Sequence, residues 1–216
     1  MADIFDEVSE ELKQDQLIQT WKKYSKLIII LIIILIVLLG SYHAYTTWNK
    51  KQIEVVSEQY FQALKKLEDK NYLKSQNLFL KNSQNDKSGY GVLSLFGLAE
   101  TNYQNGKIDQ MLINYKNIYD NERIDIFYRN LSRILSVLKD NKSSFDQQKL
   151  LLEPILNSPS KLQIVAAELE VLLFIKFDKI KKAQTAINIL LERSDLSFEQ
   201  KNRLELIHKI YKTNAK

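Results

Sequence analysis

The chain has 216 residues, a formal net charge of +5 and no cysteine. The absence of cysteine excludes disulfides and thiol chemistry, and two histidines leave few ways to build an imidazole-based catalytic or metal site. Five glycines and two prolines are too few for the turns of a β-sheet protein. The composition therefore predicts an all-α protein without a metal or another cofactor.

The first predicted element is a transmembrane helix over residues 27–48. Thirteen aliphatic residues run from Leu27 to Leu39, and the uncharged stretch continues to Trp48. These 22 residues would form about 33 Å of helix, and a bilayer needs roughly 20 apolar residues. Aromatic residues on both flanks are typical of side chains that settle at the lipid headgroups. The predicted anchor residues are Leu27, Leu31, Leu35, Leu39 and Trp48, and the predicted interfacial aromatics are Trp21, Tyr24, Tyr42 and Tyr45.

The same apolar run has to be weighed against a cleaved signal peptide. Cleavage after Ala44 or Gly40 would place Tyr42 or Leu38 where a small residue is required. An uncleaved anchor is therefore favoured, with the signal peptide as its alternative. Three lysines lie immediately before the span and two immediately after it, but within about 18 residues each side has four, so charge only weakly favours a cytosolic amino terminus.

Residues 49–216 are predicted to form one helical repeat domain. Apolar positions recur every three or four residues, and an offset of 36 aligns Ala63, Ser75 and Phe79 with Ala99, Met111 and Tyr115. This period is close to the 34 residues of tetratricopeptide repeats. It predicts a tetratricopeptide-like α-solenoid of about four degenerate helix pairs, with an irregular helix bundle as the alternative. The later units are placed at Leu135, Ser144, Gln147 and Leu151, and at Val171, Ile180, Ala183 and Ile187.

Turns and helix ends can also be read from the sequence of this domain. The clearest turn inside a pair is placed at Gly106-Lys107, because glycine accepts the left-handed geometry past a helix end. The corresponding turns of two other pairs are placed at Lys70-Asn71 and Asp178-Lys179. Pro154 is expected to kink its helix or to mark a restart. Ser197 and Gln200 form a capping-box pattern that opens the last helix, which should run to about Thr213 as a polar-faced cap.

A protein-binding surface is predicted on the first helix of each pair, because these helices line the concave face of a solenoid. The candidate face consists of Tyr60, Phe96, Glu100, Tyr103, Arg129 and Ser132.

Catalysis and nucleic-acid binding find little support in the sequence. His43 lies in the predicted span and His208 has no second potential ligand at helical spacing. The segment Gly89-Tyr90-Gly91 follows no strand and lacks a further glycine for a phosphate loop. Lysine and arginine are dispersed rather than clustered with aromatic residues. The sequence predicts a non-enzymatic chain without a nucleic-acid partner or a small-molecule substrate.

Three groups of residues carry a family resemblance that spans nearly the whole chain. They are Asp3-Ile4-Phe5-Asp6-Glu7-Val8-Ser9-Glu10-Glu11, the pre-span Trp21-Lys22-Lys23-Tyr24, and the later segments Leu152-Glu153-Pro154-Ile155-Leu156 and Ala167-Glu168-Leu169 with Ala183. The chain resembles the ancillary subunits of the SecYEG translocon, the YfgM-like proteins of the bacterial inner membrane.

The resemblance implies a single-pass inner-membrane protein with residues 1–26 as a short acidic cytosolic segment and the repeat domain in the periplasm. It further implies an accessory or chaperone-like role, with the bilayer, translocon subunits, periplasmic chaperones or translocating polypeptides as partners. The residues themselves indicate only an anchored helical binding module of unspecified oligomeric state. A membrane-tethered scaffold or adaptor for another envelope complex, with its repeats in the cytosol, is therefore the alternative.

Overall fold

The chain is described here by a computed structural model, which covers residues 2–84 and 89–213. Every regular element in these two ranges is an α-helix, as the composition predicts. The helices are α1 (Ala2–Glu68), α2 (Tyr72–Ser83), α3 (Gly89–Gln104), α4 (Ile108–Tyr119), α5 (Ile126–Lys139), α6 (Phe145–Leu156), α7 (Gln163–Lys176), α8 (Ile180–Leu191) and α9 (Phe198–Thr213).

The chain divides into two units, Met1–Glu54 and Val55–Lys216. In the first unit, α1 includes the whole predicted span, and from Trp21 onward it is long and apolar enough to cross a membrane. The predicted anchor residues from Leu27 to Trp48 are all more than half exposed. A helix this apolar needs a covering medium, because isolated soluble chains rarely expose so large an apolar surface.

The second unit consists of helix pairs that repeat one buried pattern. In each pair, a residue of the first helix is followed after 12, 16 and 19 positions by three residues of the second helix, and all four are buried. The four sets are Ala63, Ser75, Phe79 and Asn82; Ala99, Met111, Tyr115 and Ile118; Ser136, Gln148, Leu152 and Ile155; and Val171, Ala183, Ile187 and Leu190.

The third set corrects the sequence prediction by one residue. Ser144 and Gln147 are exposed and Leu151 is only half-buried, whereas Ser136, Gln148 and Leu152 occupy the core. The offset from the second pair to the third is 37 rather than 36, so a constant period places the third pair one position too early. Because a helix turns by about 100° per residue, this error moves each predicted core position toward the surface.

Small side chains allow close approach where the first two pairs meet. Gly97 of α3 packs directly on the fully buried ring of Phe79, where an added Cβ would lie 2.5 Å from two ring carbons. Within the first pair, the Ser75 hydroxyl donates a hydrogen bond to the Ala63 carbonyl oxygen at 3.0 Å. The inter-pair contact therefore depends on the absence of a side chain at Gly97.

Three turns adopt the same helix-ending geometry, at the predicted places. Lys70, Gly106 and Asp178 have φ values of +56°, +72° and +54°. The residue after each one donates its N–H to a carbonyl five positions earlier, as in Asn71 to Lys66 at 2.8 Å. This is the Schellman pattern, and it satisfies carbonyls that the helix end would leave unpaired.

Replacement of Gly106 by alanine should destabilise the repeat unit by about 1 kcal/mol, because a Cβ disfavours its positive φ. The control is Gly89→Ala, since Gly89 also has open space around its Cα but begins α3 without a positive φ. Urea unfolding of the full chain in detergent micelles, followed by circular dichroism, measures both changes. Equal effects of the two substitutions would contradict the assigned left-handed turn.

The turn inside the third pair, between α5 and α6, has a different construction. Asp140 ends α5, and its carboxylate accepts hydrogen bonds from the backbone N–H groups of Lys142 and Ser143 at 2.8 and 3.0 Å. The Gln148 side chain donates to the Ser143 carbonyl at 2.8 Å and accepts from Lys176 Nζ at 3.2 Å. Burial opposes ionisation of Asp140, but the hydrogen bonds from Ser143 and Lys142 and the nearby charge of Lys176 lower its pKa below the ordinary value. A buried polar cluster thus replaces the left-handed residue.

The predictions for Pro154 and for the last helix are confirmed in part. Pro154 lies inside α6, which continues to Leu156, so it does not mark a restart. Ser197 and Gln200 form the expected reciprocal cap, and α9 ends at Thr213. The outer surface of α9 is not uniformly polar, because Phe198, Leu206 and Ile210 are at least half exposed.

Candidate functional site

The candidate site is a groove of about 280 Å³ between the first helices of three consecutive pairs. Its lining comes from α1, α3 and α5, with one contribution from α4, and it is mainly apolar. The lining residues are Tyr60, Leu64, Leu67, Leu93, Phe96, Gly97, Glu100, Tyr115, Leu135 and Lys139. Lining side chains of this kind can hold an apolar segment of a partner, while a few polar groups orient it.

The charged groups of the groove form a single cluster. Lys139 of α5 forms a salt bridge with Glu100 of α3, and its ammonium lies 4.1 Å from the centroid of the Tyr103 ring. Burial acts to raise the pKa of Glu100, but hydrogen bonds from Lys139 and Gln104 and the Lys139 charge lower it below the ordinary value. The carboxylate is therefore ionised at neutral pH and holds Lys139 beside Tyr103.

Tyr60 of the groove packs against two aromatic rings that do not line it. The Tyr60 ring lies 5.8 Å from the Phe79 ring and 5.6 Å from the Tyr90 ring. Burial is the main reason that the pKa of the Tyr60 hydroxyl is raised, and Tyr90 adds to the effect. These contacts fix the orientation of Tyr60, so a partner would meet a preformed surface rather than a mobile ring.

Phe96, in the next pair, also lines the groove and contacts other aromatic rings. Its ring lies 6.3 Å from Tyr115 and 6.4 Å from Tyr128. The Tyr115 ring is almost completely buried, and burial, aided by Glu100 and Tyr103, raises the pKa of its hydroxyl strongly. Phe96 therefore bridges the groove and the core of the second and third pairs.

The structure brings together only part of the predicted binding face. Tyr60, Phe96 and Glu100 line the groove, and Tyr103 reaches it through its contact with Lys139. Arg129 is half-buried on α5 and is not among the lining residues. Ser132 does not lie on an exposed binding face as predicted, because it is fully buried. It donates a hydrogen bond to the Tyr115 carbonyl at 2.8 Å and so helps to pack α5 on α4.

Leu135 and Lys139 were missed as groove residues for a traceable reason. A constant period of 36 predicts that Leu135 is the buried first-helix residue of the third pair, equivalent to Ala63 and Ala99. In the structure Ser136 occupies that position. With the slot at Ser136, Leu135 becomes available to the groove, and Lys139 follows one helical turn later on the same side. The two residues could have been found only from the correct register of α5. A constant period of 36 hides that register, because the offset from the second pair to the third is 37.

A known protein family matches most of the chain. The tetratricopeptide repeat-like domain matches residues 19–200. The chain belongs to this family. No curated protein and no solved structure matches the chain. The repeat-like assignment agrees with the four helix pairs, and the matched range also includes the apolar part of α1.

The tetratricopeptide repeat-like fold is typically a non-enzymatic interaction domain, and the groove suits that use. No group of three metal-ligating side chains occurs within the part of the chain that the structure describes. The groove offers apolar area, two tyrosines and one ion pair, which are groups that can bind another protein. The chain is therefore a protein-interaction module with an amino-terminal helix that could span a membrane.

Proposed function

We propose that this chain is a single-span inner-membrane protein whose repeat domain lies in the periplasm and binds proteins as an accessory, chaperone-like subunit beside the Sec translocon. The observation that carries the binding role is the apolar groove with a preformed aromatic wall. The exposed apolar surface of α1 supports the anchor, because lipid covers such side chains at no cost to hydrogen bonding. The resemblance in the amino-terminal and carboxy-terminal motifs supports the translocon and the orientation.

The groove is suited to segments of emerging polypeptides. Such segments expose apolar side chains before they fold, and binding them prevents association with other exposed chains. Leu64, Leu93 and Leu135 contribute apolar area without strong directional demands, which allows different sequences to bind. The Glu100–Lys139 pair at the same site offers both signs of charge to the polar parts of a client.

Photocrosslinking in cells tests this function. A photoreactive amino acid at Leu93 in the groove should give crosslinks to translocon subunits, periplasmic chaperones or translocating polypeptides. The control is the same amino acid at Ile113, which is 47% exposed on α4 and does not line the groove. Identical products from both positions, or none of these partners from Leu93, would contradict the assignment.

Orientation is tested separately with reporter fusions after Lys216. A reporter that is active only outside the cytosol should be active, and one that is active only in the cytosol should be silent. The reverse result would indicate the alternative function, a membrane-tethered scaffold with cytosolic repeats. Within about 18 residues the span has four lysines on each side, so charge does not decide between this alternative and a periplasmic repeat domain.

A further inference from the structure

A second cavity lies away from the groove residues, where the start of α5 faces the loop between α6 and α7. Its volume is about 470 Å³, which is larger than that of the groove and within the range typical of ligand sites. Ile126 and Phe127 line it from α5, and Pro159 lines it from the loop. Ile126 and Phe127 are both more than two-fifths exposed, so the cavity is open to solvent and has apolar walls.

Asn130 gives this cavity an unsatisfied polar group. Its residue exposure is only 3%, and it lines the cavity one helical turn after Ile126. The amide nitrogen makes a long hydrogen bond of 3.5 Å to Ser160 Oγ, while Oδ1 is buried without a partner among the described residues. A buried amide oxygen without a donor is unfavourable, and a bound group that carries an N–H would remove that penalty.

The charges around the cavity do not favour a strongly charged ligand. Asp125 and Lys161 line it with opposite signs, so they provide no net attraction for a phosphate or a free carboxylate. The Asp125 carboxylate already accepts a hydrogen bond from the Phe127 N–H at 2.8 Å, where it caps α5. One capped carboxylate without a second acidic ligand is also insufficient for a divalent cation.

We propose that this cavity binds an extended segment of another polypeptide, with a backbone N–H donating to Asn130 Oδ1 and one apolar side chain packed against Ile126 and Pro159. The peptide group is neutral and carries a donor and an acceptor, which matches an amide next to the hydroxyl of Ser160. The proposal rests on the proposed function only in that both sites bind polypeptide. Binding here does not require the groove to be occupied.

The test uses the full chain in lipid nanodiscs and the fluorescent peptide acetyl-Gly-Ser-Leu-Ser-Gly-amide. Three ester analogues each replace the N–H of one central residue by oxygen. Fluorescence anisotropy should show that one analogue binds about fivefold more weakly than the parent peptide, because a neutral hydrogen bond contributes roughly a factor of ten or less to affinity. Equal affinities of all four peptides, or no binding of the parent at millimolar concentration, would overturn the proposal.

Two variants connect that loss to the cavity. In Asn130→Leu the difference between the parent peptide and the weakest ester should vanish. In Ile126→Arg all four peptides should bind at least fivefold more weakly. This substitution should not disturb the core, because Ile126 is exposed at the mouth of the cavity. Ile113→Arg is the matched control and should leave affinity unchanged. If Ile126→Arg and Ile113→Arg behave alike, the cavity is not the binding site.

This outcome is separable from that of the groove experiment. Failure of the peptide test with intact crosslinking from Leu93 would refute only the second site. Failure of the crosslinking with intact ester discrimination would refute the translocon assignment and leave the Asn130 site in place.

Discussion

Replacement of Phe79 by alanine should lower the free energy of unfolding of the repeat domain by about 3 to 5 kcal/mol, the range for large aromatic side chains removed from a core. The Phe79 side chain is fully buried among Ala63, Leu67 and Leu98, and its ring also contacts Gly97. The substitution therefore opens a cavity where the first two helix pairs meet. Urea unfolding of the full chain in micelles measures the loss.

Phe61→Ala is the matched control for that substitution. Phe61 lies on α1 beside Tyr60, but its side chain is 58% exposed. Its truncation should cost less than about 1 kcal/mol, because little buried apolar area is lost. Similar losses for the two phenylalanines would show that Phe79 is not in the core.

Gly97 provides an independent check on the same contact. Gly97→Ala should destabilise the otherwise unchanged protein, because its Cβ would lie 2.5 Å from Phe79 ring carbons. In the Phe79→Ala background the same change should become neutral or stabilising, since alanine favours the helix by about 1 kcal/mol over glycine. A change of sign between the two backgrounds is the expected coupling.

Replacement of Gln148 by alanine should cost about 2 to 4 kcal/mol, because it removes both buried volume and two hydrogen bonds. The side chain is fully buried and connects the Ser143 carbonyl to Lys176 Nζ. Its loss leaves a turn carbonyl and an ammonium group without these partners. Hydrogen exchange of the α6 amides in the full chain should report the destabilisation together with urea unfolding.

The neighbouring Gln147 supplies a control that also tests the repeat register. Gln147 is exposed and takes part in the capping box with Ser144, so Gln147→Ala should cost at most about 1 kcal/mol. The constant period of 36 would instead place Gln147 in the core. A larger loss for Gln147 than for Gln148 would therefore reject the register seen in the structure. Gln148→Met restores most of the side-chain volume. The loss in free energy of unfolding that remains in this variant therefore measures the contribution of the two hydrogen bonds.

Much of the fold follows from local features that the sequence carries directly. The apolar run from Leu27, the turn at Gly106 and the reciprocal cap of Ser197 and Gln200 depend on neighbours within a few residues, and the structure contains each of them. The buried slots of the first, second and fourth pairs were also predictable, because their residues recur at nearly constant spacing. These features require no knowledge of the chain's distant contacts.

The third pair marks the limit of that reasoning. Ser136 and Gln148 are polar, and only their packing against other helices shows that they are core residues. The extra residue in this interval moves Ser132 into the core and brings Leu135 and Lys139 into the groove. A period read from three pairs cannot locate such an insertion, because side-chain sizes alone do not distinguish adjacent registers.

The sequence by itself determined that this protein is helical, that it has an amino-terminal apolar helix, and that repeated helix pairs follow it. Periodicity, composition and turn chemistry are local, and they are sufficient for those conclusions. The tertiary structure alone decided which faces of α1, α3 and α5 form the groove, and that Asn130 and Pro159 border one cavity. Those residues are distant in the chain, and packing of one helix pair on the next fixes which of them meet.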